Sequence, residues 1–262
     1  MERLVKAPLV SIVTPSYNQA RYLEETIRSV ISQSYPHIEY IVIDGGSTDG
    51  SLDVIKRYEN QIDYWVSEPD QGQTAAINKG FKQASGDIYA WLNSDDTYQA
   101  GTVEEVVDFF SKNPDVGMVY GDLNFINADG EMIGKFNAKQ TSYRRLRRGG
   151  VYIPQPAAFW RANLWEQVAP LDPNLYFAMD YDLWLRLAKI TSLEYYQGHT
   201  WANFRIHGDS KTIIADQRCW DEMLKIHRRD GGHWFSWLVL KYWIRKAVTP
   251  LWNWLRRRRL LR

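Results

Sequence analysis

The residues best placed to do chemistry are acids that directly follow hydrophobic runs. In Ile38-Glu-Tyr-Ile-Val-Ile43 the apolar stretch stops at Asp44, which opens the string Asp-Gly-Gly-Ser-Thr-Asp-Gly-Ser over 44–51. Gly45 and Gly46 permit a tight turn. An aspartate held at such an edge can accept a hydrogen bond from a ring N–H of a nucleotide base; the same string also reads as a polar loop whose Ser47 or Asp49 caps the next helix. It is not a Rossmann phosphate loop, because G-x-G-x-x-G is absent. A second run, Ile88-Tyr-Ala-Trp-Leu92, ends in Asn93-Ser94-Asp95-Asp96. Two adjacent carboxylates repel each other, and a hard divalent cation, Mg²⁺ or Mn²⁺, bridging them to a diphosphate would relieve that repulsion. The competing role is a helix start, since Asp and Ser are good N-caps.

The elements that must position these acids alternate. Residues 9–14 and 38–43 are short apolar, largely β-branched runs. Between them Leu23, Ile27, Val30 and Ile31 form one stripe of a helix whose N-cap is expected at Asn18. A helix through Leu52, Val54, Ile55 and Tyr58, a strand over 62–66, a helix through Ala76, Ile77, Phe81 and Ala84, and a strand over 88–92 continue the rhythm. Such alternation predicts an α/β fold, a doubly wound, mostly parallel sheet that binds ligands beyond the carboxyl ends of its strands. The three loops so marked begin at Thr14, Asp44 and Asn93. From about Val116 the runs shorten around Asn127-Ala-Asp-Gly130, a hairpin signal that predicts a small antiparallel part. A helix over 180–189 and a strand over 201–206 follow. No internal repeat is present.

Of the 262 residues, 45% are hydrophobic and 24% charged, which suits one large domain. The total charge of +1 hides an asymmetry: residues 233–262 carry eight Lys or Arg and no acid, so a +8 tail follows a body of −7. That balance argues against nucleic acid as a partner. A single cysteine, Cys219, rules out an intramolecular disulfide and suits a reducing compartment. The opening residues lack the apolar run of a signal peptide, and no apolar run is long enough to span a bilayer. The tail holds five of the 12 tryptophans. Trp with Lys and Arg favours a membrane surface; the alternative is a helix packed on the domain followed by a basic end. We therefore divide the chain into a domain over 1–232 and a basic, Trp-rich tail over 233–262. Arg144, Arg145, Arg147 and Arg148 form a further basic cluster. It is either solvated surface or a contact for a phosphate-bearing acceptor.

Taken together, Val10-to-Ser51, Ser67-Glu-Pro-Asp-Gln-Gly-Gln-Thr-Ala-Ala-Ile-Asn-Lys-Gly-Phe81 and Trp91-Leu-Asn-Ser-Asp-Asp96 resemble the family 2 glycosyltransferases of GT-A fold, over about residues 10–207. The resemblance implies inverting transfer of a sugar from a nucleotide diphosphate sugar. It implies that Thr14, Pro15, Ser16 and Tyr17 form the first nucleotide-binding loop and that Asp44 reads the base. Asp70 and Lys79 would contact ribose or phosphate. Asp95 matches the second acid of the D-x-D metal motif, with Asp96 beside it, and Asn93 stands where many members have the first Asp. Asp180 matches the Asp of the Glu-Asp pair that carries the general base, with Met179 replacing the Glu; on its residues alone it is equally a helix cap. Arg186, one turn from Asp182, reads as an ion-pair partner. His207 would ligate the metal or the phosphate, and Gln155 lies in the acceptor-side segment. Gln217-Arg-Cys-Trp220 departs from the Q-x-x-R-W of polymerising relatives, so one linkage is expected.

The expectation is thus a metal-dependent transferase, peripheral on the cytosolic face of a membrane, that adds one sugar to a glycan or lipid-linked acceptor in cell-surface polysaccharide synthesis. Two rivals stand beside it. One is a non-catalytic sugar or nucleotide-sugar binding module; the other is a sugar nucleotidyltransferase, whose Gly-rich, Arg-containing loop is missing here. Calorimetric donor binding with and without Mn²⁺, on the parent and on Asp95→Ala, tests for a transferase-type site.

Overall fold

The computed structural model describes residues 7–150, 152–208, 210–211 and 217–246. Strands β1 (Val10–Ser16), β2 (Ile38–Asp44), β3 (Tyr64–Ser67) and β4 (Ile88–Trp91) pair in parallel in the order β3-β2-β1-β4. Helices α1 (Ala20–Ile31), α2 (Ser51–Arg57) and α3 (Gln73–Gln83) make the crossovers. Because β1 is flanked by β2 and β4, the loops after Ser16, Asp44 and Trp91 leave the sheet side by side. That juxtaposition creates the site.

Beyond β4 the sheet changes character. β5 (Thr97–Tyr98) and α4 (Thr102–Lys112) come first, followed by β6 (Met118–Ile126), β7 (Met132–Phe136), the short α5 (Tyr143–Leu146), β8 (Ala158–Arg161) and α6 (Ala162–Val168). α7 (Met179–Leu187), β9 (Leu193–Arg205) and α8 (Gln217–Arg229) complete the order. β8 is antiparallel to both β4 and β6, β7 forms the expected hairpin with β6, and β9 runs parallel to β6. The path is β3-β2-β1-β4-β8-β6-β9-β5.

Two apolar layers cover the sheet. One face receives Leu23, Ile27 and Val30 of α1, Val54 and Ile55 of α2, and Val103, Val106 and Phe110 of α4. The other receives Ile77 and Phe81 of α3 and Leu183 and Leu187 of α7, around Trp91, Trp160 and Trp184. The α1 stripe sits as the periodicity predicts, with Leu23, Ile27 and Val30 fully buried. Its cap differs: Gln19 is the N-cap, and Asn18, at φ +51°, accepts the Thr48 backbone N–H at 2.9 Å instead. Gly50, not Ser47 or Asp49, caps α2. Asp95 and Asp96 start no helix; a turn leads from them into β5. The late strand is far longer than 201–206, because residues 193–200 extend β9 along β6 across a register shift.

Candidate active site

A cavity of about 1190 Å³ opens at the carboxyl ends of β1, β2 and β4. Pro15, Ser16 and Tyr17 border it where β1 ends. The Ser16 hydroxyl is buried there without a hydrogen-bond partner, a group with spare capacity for a ligand. Thr14 lies beneath, fully buried, accepting the Tyr40 hydroxyl at 3.1 Å.

Asp44 does not border the cavity. Its carboxylate is fully buried and accepts four hydrogen bonds: the backbone N–H groups of Gly46 and Ser47 at 3.1 and 2.9 Å, and the hydroxyls of Ser47 and Ser67 at 2.5 and 2.6 Å. It pins the loop between β2 and α2 and has little capacity left. The free carboxylate near the loop is Asp70. A Cβ on Gly45 would fall 3.1 and 3.2 Å from its two oxygens, so the missing side chain at 45 makes room for Asp70, which borders the cavity and accepts the Gly72 N–H at 2.7 Å. Lys79 pairs with Glu68 outside the cavity lining. Asn78 satisfies both backbone groups of Leu171, each at 2.9 Å.

The turn after β4 divides its acids. Asp95 borders the cavity, and its Oδ2 lies 3.0 Å from Nε2 of His207, which borders it too. Asp96 points the other way into the fold, accepting the Arg205 backbone N–H at 3.0 Å and the Asn93 amide at 3.1 Å. Burial, and then the neighbouring Asp95 charge, hold its carboxyl well above the usual carboxylate range. Arg205, itself buried, donates to the Asp95 carbonyl at 2.9 Å and pairs with Glu25, clamping the turn. Asn93 is equally committed: it donates to Gln155 at 3.1 Å and accepts from Gln73 at 2.7 Å. Gln155 borders the cavity and donates to the Trp91 carbonyl at 2.8 Å.

Among the described residues no group of three or more His, Cys, Asp or Glu gathers as a complete metal site. One carboxylate and one imidazole facing a cavity nevertheless suit a Mn²⁺- or Mg²⁺-type ion whose remaining positions are filled by diphosphate and water oxygens. The donor set fits two protein ligands, Asp95 and His207, with Asp96 behind them.

α7 borders the same cavity. Its N-cap is Ala178, and Asp180 is the second helical residue, half-buried, with its carboxylate accepting the Tyr181 N–H at 2.6 Å. Burial pushes this carboxyl up to about 6. The unpaired N–H groups that precede the helix are met by one buried side chain from α8: Glu222 accepts from Tyr176, Phe177 and Ala178 at 3.0, 2.8 and 3.0 Å. Asp182 pairs with Arg186 at 2.8 Å, as the spacing predicts, and also with Arg229. Lys211 borders the same cavity; its ammonium donates to Gln73 at 2.7 Å, lies 3.9 Å from the Tyr176 ring centre, and is pushed down to about 8 by burial.

The cavity is also lined by Leu146, Tyr152, Ile153, Phe177, Tyr181 and Trp184. None of Arg144, Arg145, Arg147 and Arg148 borders it; Leu146 is the residue that α5 turns inward. Sequence reading singled out neither Gln73, Arg205 nor Glu222. Each acts on a group far along the chain, 20, 110 and 44 to 46 residues away, and no local pattern announces such a partnership.

A doubly wound sheet with a nucleotide-sized cavity at its carboxyl edge, rimmed by an acid–His pair and a facing carboxylate, has the form of a GT-A glycosyltransferase. Residues 11–165 match the family model described as "Glycosyl transferase family 2", and the chain belongs to that family. TuaG of Bacillus subtilis (strain 168), named for teichuronic acid biosynthesis, is 36% identical over 132 residues, 49% of this chain and 52% of its own. The fold is shared with S. aureus TarS 1–349 in complex with UDP-GlcNAc, at a TM-score of 0.66 and 18% identity over 83% of this chain and 65% of that one. It is shared equally with the mannosyltransferase PcManGT of Pyrobaculum calidifontis in complex with GDP-Man and Mn²⁺, at a TM-score of 0.64 and 19% identity over 87% of this chain and 65% of that one. The protein is thus a glycosyltransferase.

Proposed function

We propose that this glycosyltransferase moves one sugar, with inversion, from a UDP-, GDP- or dTDP-sugar to a glycan or lipid-linked acceptor in cell-surface polysaccharide synthesis, at the cytosolic face of a membrane. One juxtaposition carries the reading: Asp180, with its raised pKa, borders the same cavity as the Asp95–His207 pair and Lys211. The UDP-GlcNAc bound to TarS, the GDP-Man and Mn²⁺ bound to PcManGT, and the teichuronic acid biosynthesis for which TuaG is named support a nucleotide-sugar donor, a divalent cation and a polysaccharide product.

In this reading Ser16 and Tyr17 border the nucleoside, and Asp70 rather than Asp44 offers a carboxylate to the base. Asp180 takes the proton of the acceptor hydroxyl as its oxygen bonds to the anomeric carbon. The bond from that carbon to the diphosphate breaks on the opposite face, and its electron pair stays with the leaving oxygen. Lys211 neutralises charge on the departing diphosphate. A cation held by Asp95 and His207 supplies Lewis-acid neutralisation of the same charge when bound. The aromatic residues of the cavity stack acceptor sugar rings, and the exposed Arg144, Arg145 and Arg148, which lie outside the cavity lining in and just after α5, meet an anionic portion of the acceptor.

Calorimetry with UDP-, GDP- and dTDP-sugars, with and without Mn²⁺, tests the reading. One donor is expected to bind in a Mn²⁺-dependent manner and to lose that dependence in Asp95→Ala. A donor that binds without ever being consumed, with any sugar acceptor offered, would make the protein a binding module.

A further inference from the structure

Six large apolar side chains at the C-terminal end of the described residues face solvent: Trp234, Phe235, Trp237, Leu240, Trp243 and Ile244, each between 49% and fully exposed. The helix over 237–246 is apolar on two sides. Leu238, Val239 and Tyr242 are buried against the domain. Leu238 rests on Gly149, whose φ of +83° suits glycine and where a Cβ would fall 2.4 Å from the leucine Cδ1. The Tyr242 hydroxyl donates to Asp221 at 2.8 Å. On the other side Trp237, Leu240 and Ile244 recur at i, i+3 and i+7, with Trp243 next to them, and the core makes no use of them. Of the two roles its composition left open, packing on the domain is met by one side of the helix, while among the described residues the other side is uncovered.

Charge selects that partner. The Arg228 guanidinium lies 4.5 Å from the Trp234 ring centre, and the Lys241 and Lys246 ammonium groups lie 5.5 and 5.4 Å from Trp237 and Trp243. The sequence after Asp230 contains no acid, and residues 247–262 add five arginines and two tryptophans. A second copy of this patch would oppose cation to cation. Aromatic rings interleaved with cations instead match the boundary between headgroups and acyl chains of an anionic bilayer.

We propose that this face docks on an anionic lipid bilayer, with the six apolar side chains entering the headgroup boundary and the cations meeting lipid phosphates. Residues flanking Gly149, on which the helix rests, also line the cavity: Leu146, Tyr152 and Ile153. Docking thereby holds the part of the cavity that these residues line behind the docked helix, near the bilayer, where a lipid-linked acceptor would enter. Only this last step rests on the transferase reading.

Co-sedimentation of the full chain with vesicles of phosphatidylcholine alone, or with one-third phosphatidylglycerol, is the test. Binding is expected to be at least about tenfold tighter to the anionic vesicles. It should fall at least about tenfold in the triple variant Trp237→Ser, Leu240→Ser, Ile244→Ser, whose melting temperature and UDP affinity should match the parent. Brominated lipids should quench tryptophan fluorescence of the unmodified protein, which reads insertion without any variant. Absent binding of the parent to anionic vesicles overturns the proposal. So does equal binding by the triple variant, or a concentration-dependent oligomer that the triple variant abolishes. Donor affinity measured without vesicles reports separately on the transferase reading.

Discussion

Asp180 and Lys211 are opposite cases of one effect: burial penalises the charged form, raising the carboxyl to about 6 and lowering the ammonium to about 8. The base must be deprotonated and the cation protonated to work. The rate should therefore rise with pH through about 6 and fall as pH passes about 8, so a bell-shaped profile of kcat/KM is the expected result. Asp180→Asn should erase the acidic limb and lower kcat on the order of 10²- to 10⁴-fold with donor affinity retained. The two loop acids should separate in a different experiment. Asp70→Asn should weaken UDP binding by about tenfold relative to CDP, because uracil presents a ring N–H that cytosine lacks, and a charge-assisted bond is worth about 1.5–3 kcal/mol. Asp44→Asn should act on thermal stability instead, since its four donors are groups of the fold, three from Gly46 and Ser47 of the loop and one from Ser67 at the end of β3. Equal effects of both substitutions on nucleotide selectivity would contradict this division. Asp44 was legible as an acid at a strand end; that its lone pairs are consumed internally, while Asp70 fills the space beside Gly45, was not.

At the scale of elements, the position of Asp180 depends on how α7 is held. Glu222 of α8 ties down its entry, and the Trp184 ring stacks on Trp91 at 5.7 Å, linking α7 to the strand that delivers Asp95. Glu222→Ala would leave three backbone N–H groups without their acceptor, at a cost of about 1–3 kcal/mol each if they stay buried. Urea denaturation should show lower stability, and steady-state kinetics a fall in kcat larger than any change in donor KM. Unchanged kcat in a destabilised variant would limit Glu222 to a structural role. The N-terminal elements were readable because each follows from contiguous residues, as the Leu23, Ile27, Val30 stripe shows. α4 carries the same kind of signal in Val103, Val106 and Phe110, whereas residues 193–200 of β9 pair only because β6 lies beside them.

For the whole molecule, the helix over 237–246 belongs physically to the domain that the charge boundary at 232 separates it from. Removing everything after Asp230 would uncover the surface that Leu238, Val239 and Tyr242 bury, roughly 1.5–3 kcal/mol for each large apolar side chain. The truncated chain should melt at a lower temperature than the full chain, so loss of vesicle binding on truncation would mix two effects. Among the described residues no helix is long and apolar enough to cross a membrane. Donor and metal should also act on global stability by mass action. Mn²⁺ with the bound donor nucleotide should raise the melting temperature of the parent and fail to do so for Asp95→Ala; an equal rise in both would place the metal elsewhere.

By itself the sequence determined the order of the parallel strands' neighbouring helices, the three loops that border the cavity and the family, because strand ends, glycine turns and apolar periodicity are properties of adjacent residues. It also determined that an acidic body is followed by a cationic, tryptophan-rich tail. Only the tertiary structure decided which acids are free. His207 meets Asp95 across 112 residues, Glu222 meets the start of α7 across 44 to 46, and Arg205 withdraws Asp96 from the cavity. It likewise decided that Leu238 and Tyr242 of the tail are buried while Trp237 and Ile244 are not. The reason is common to all of these: whether a polar group has spare hydrogen-bonding capacity, or an apolar one is covered, depends on neighbours that folding brings from distant parts of the chain.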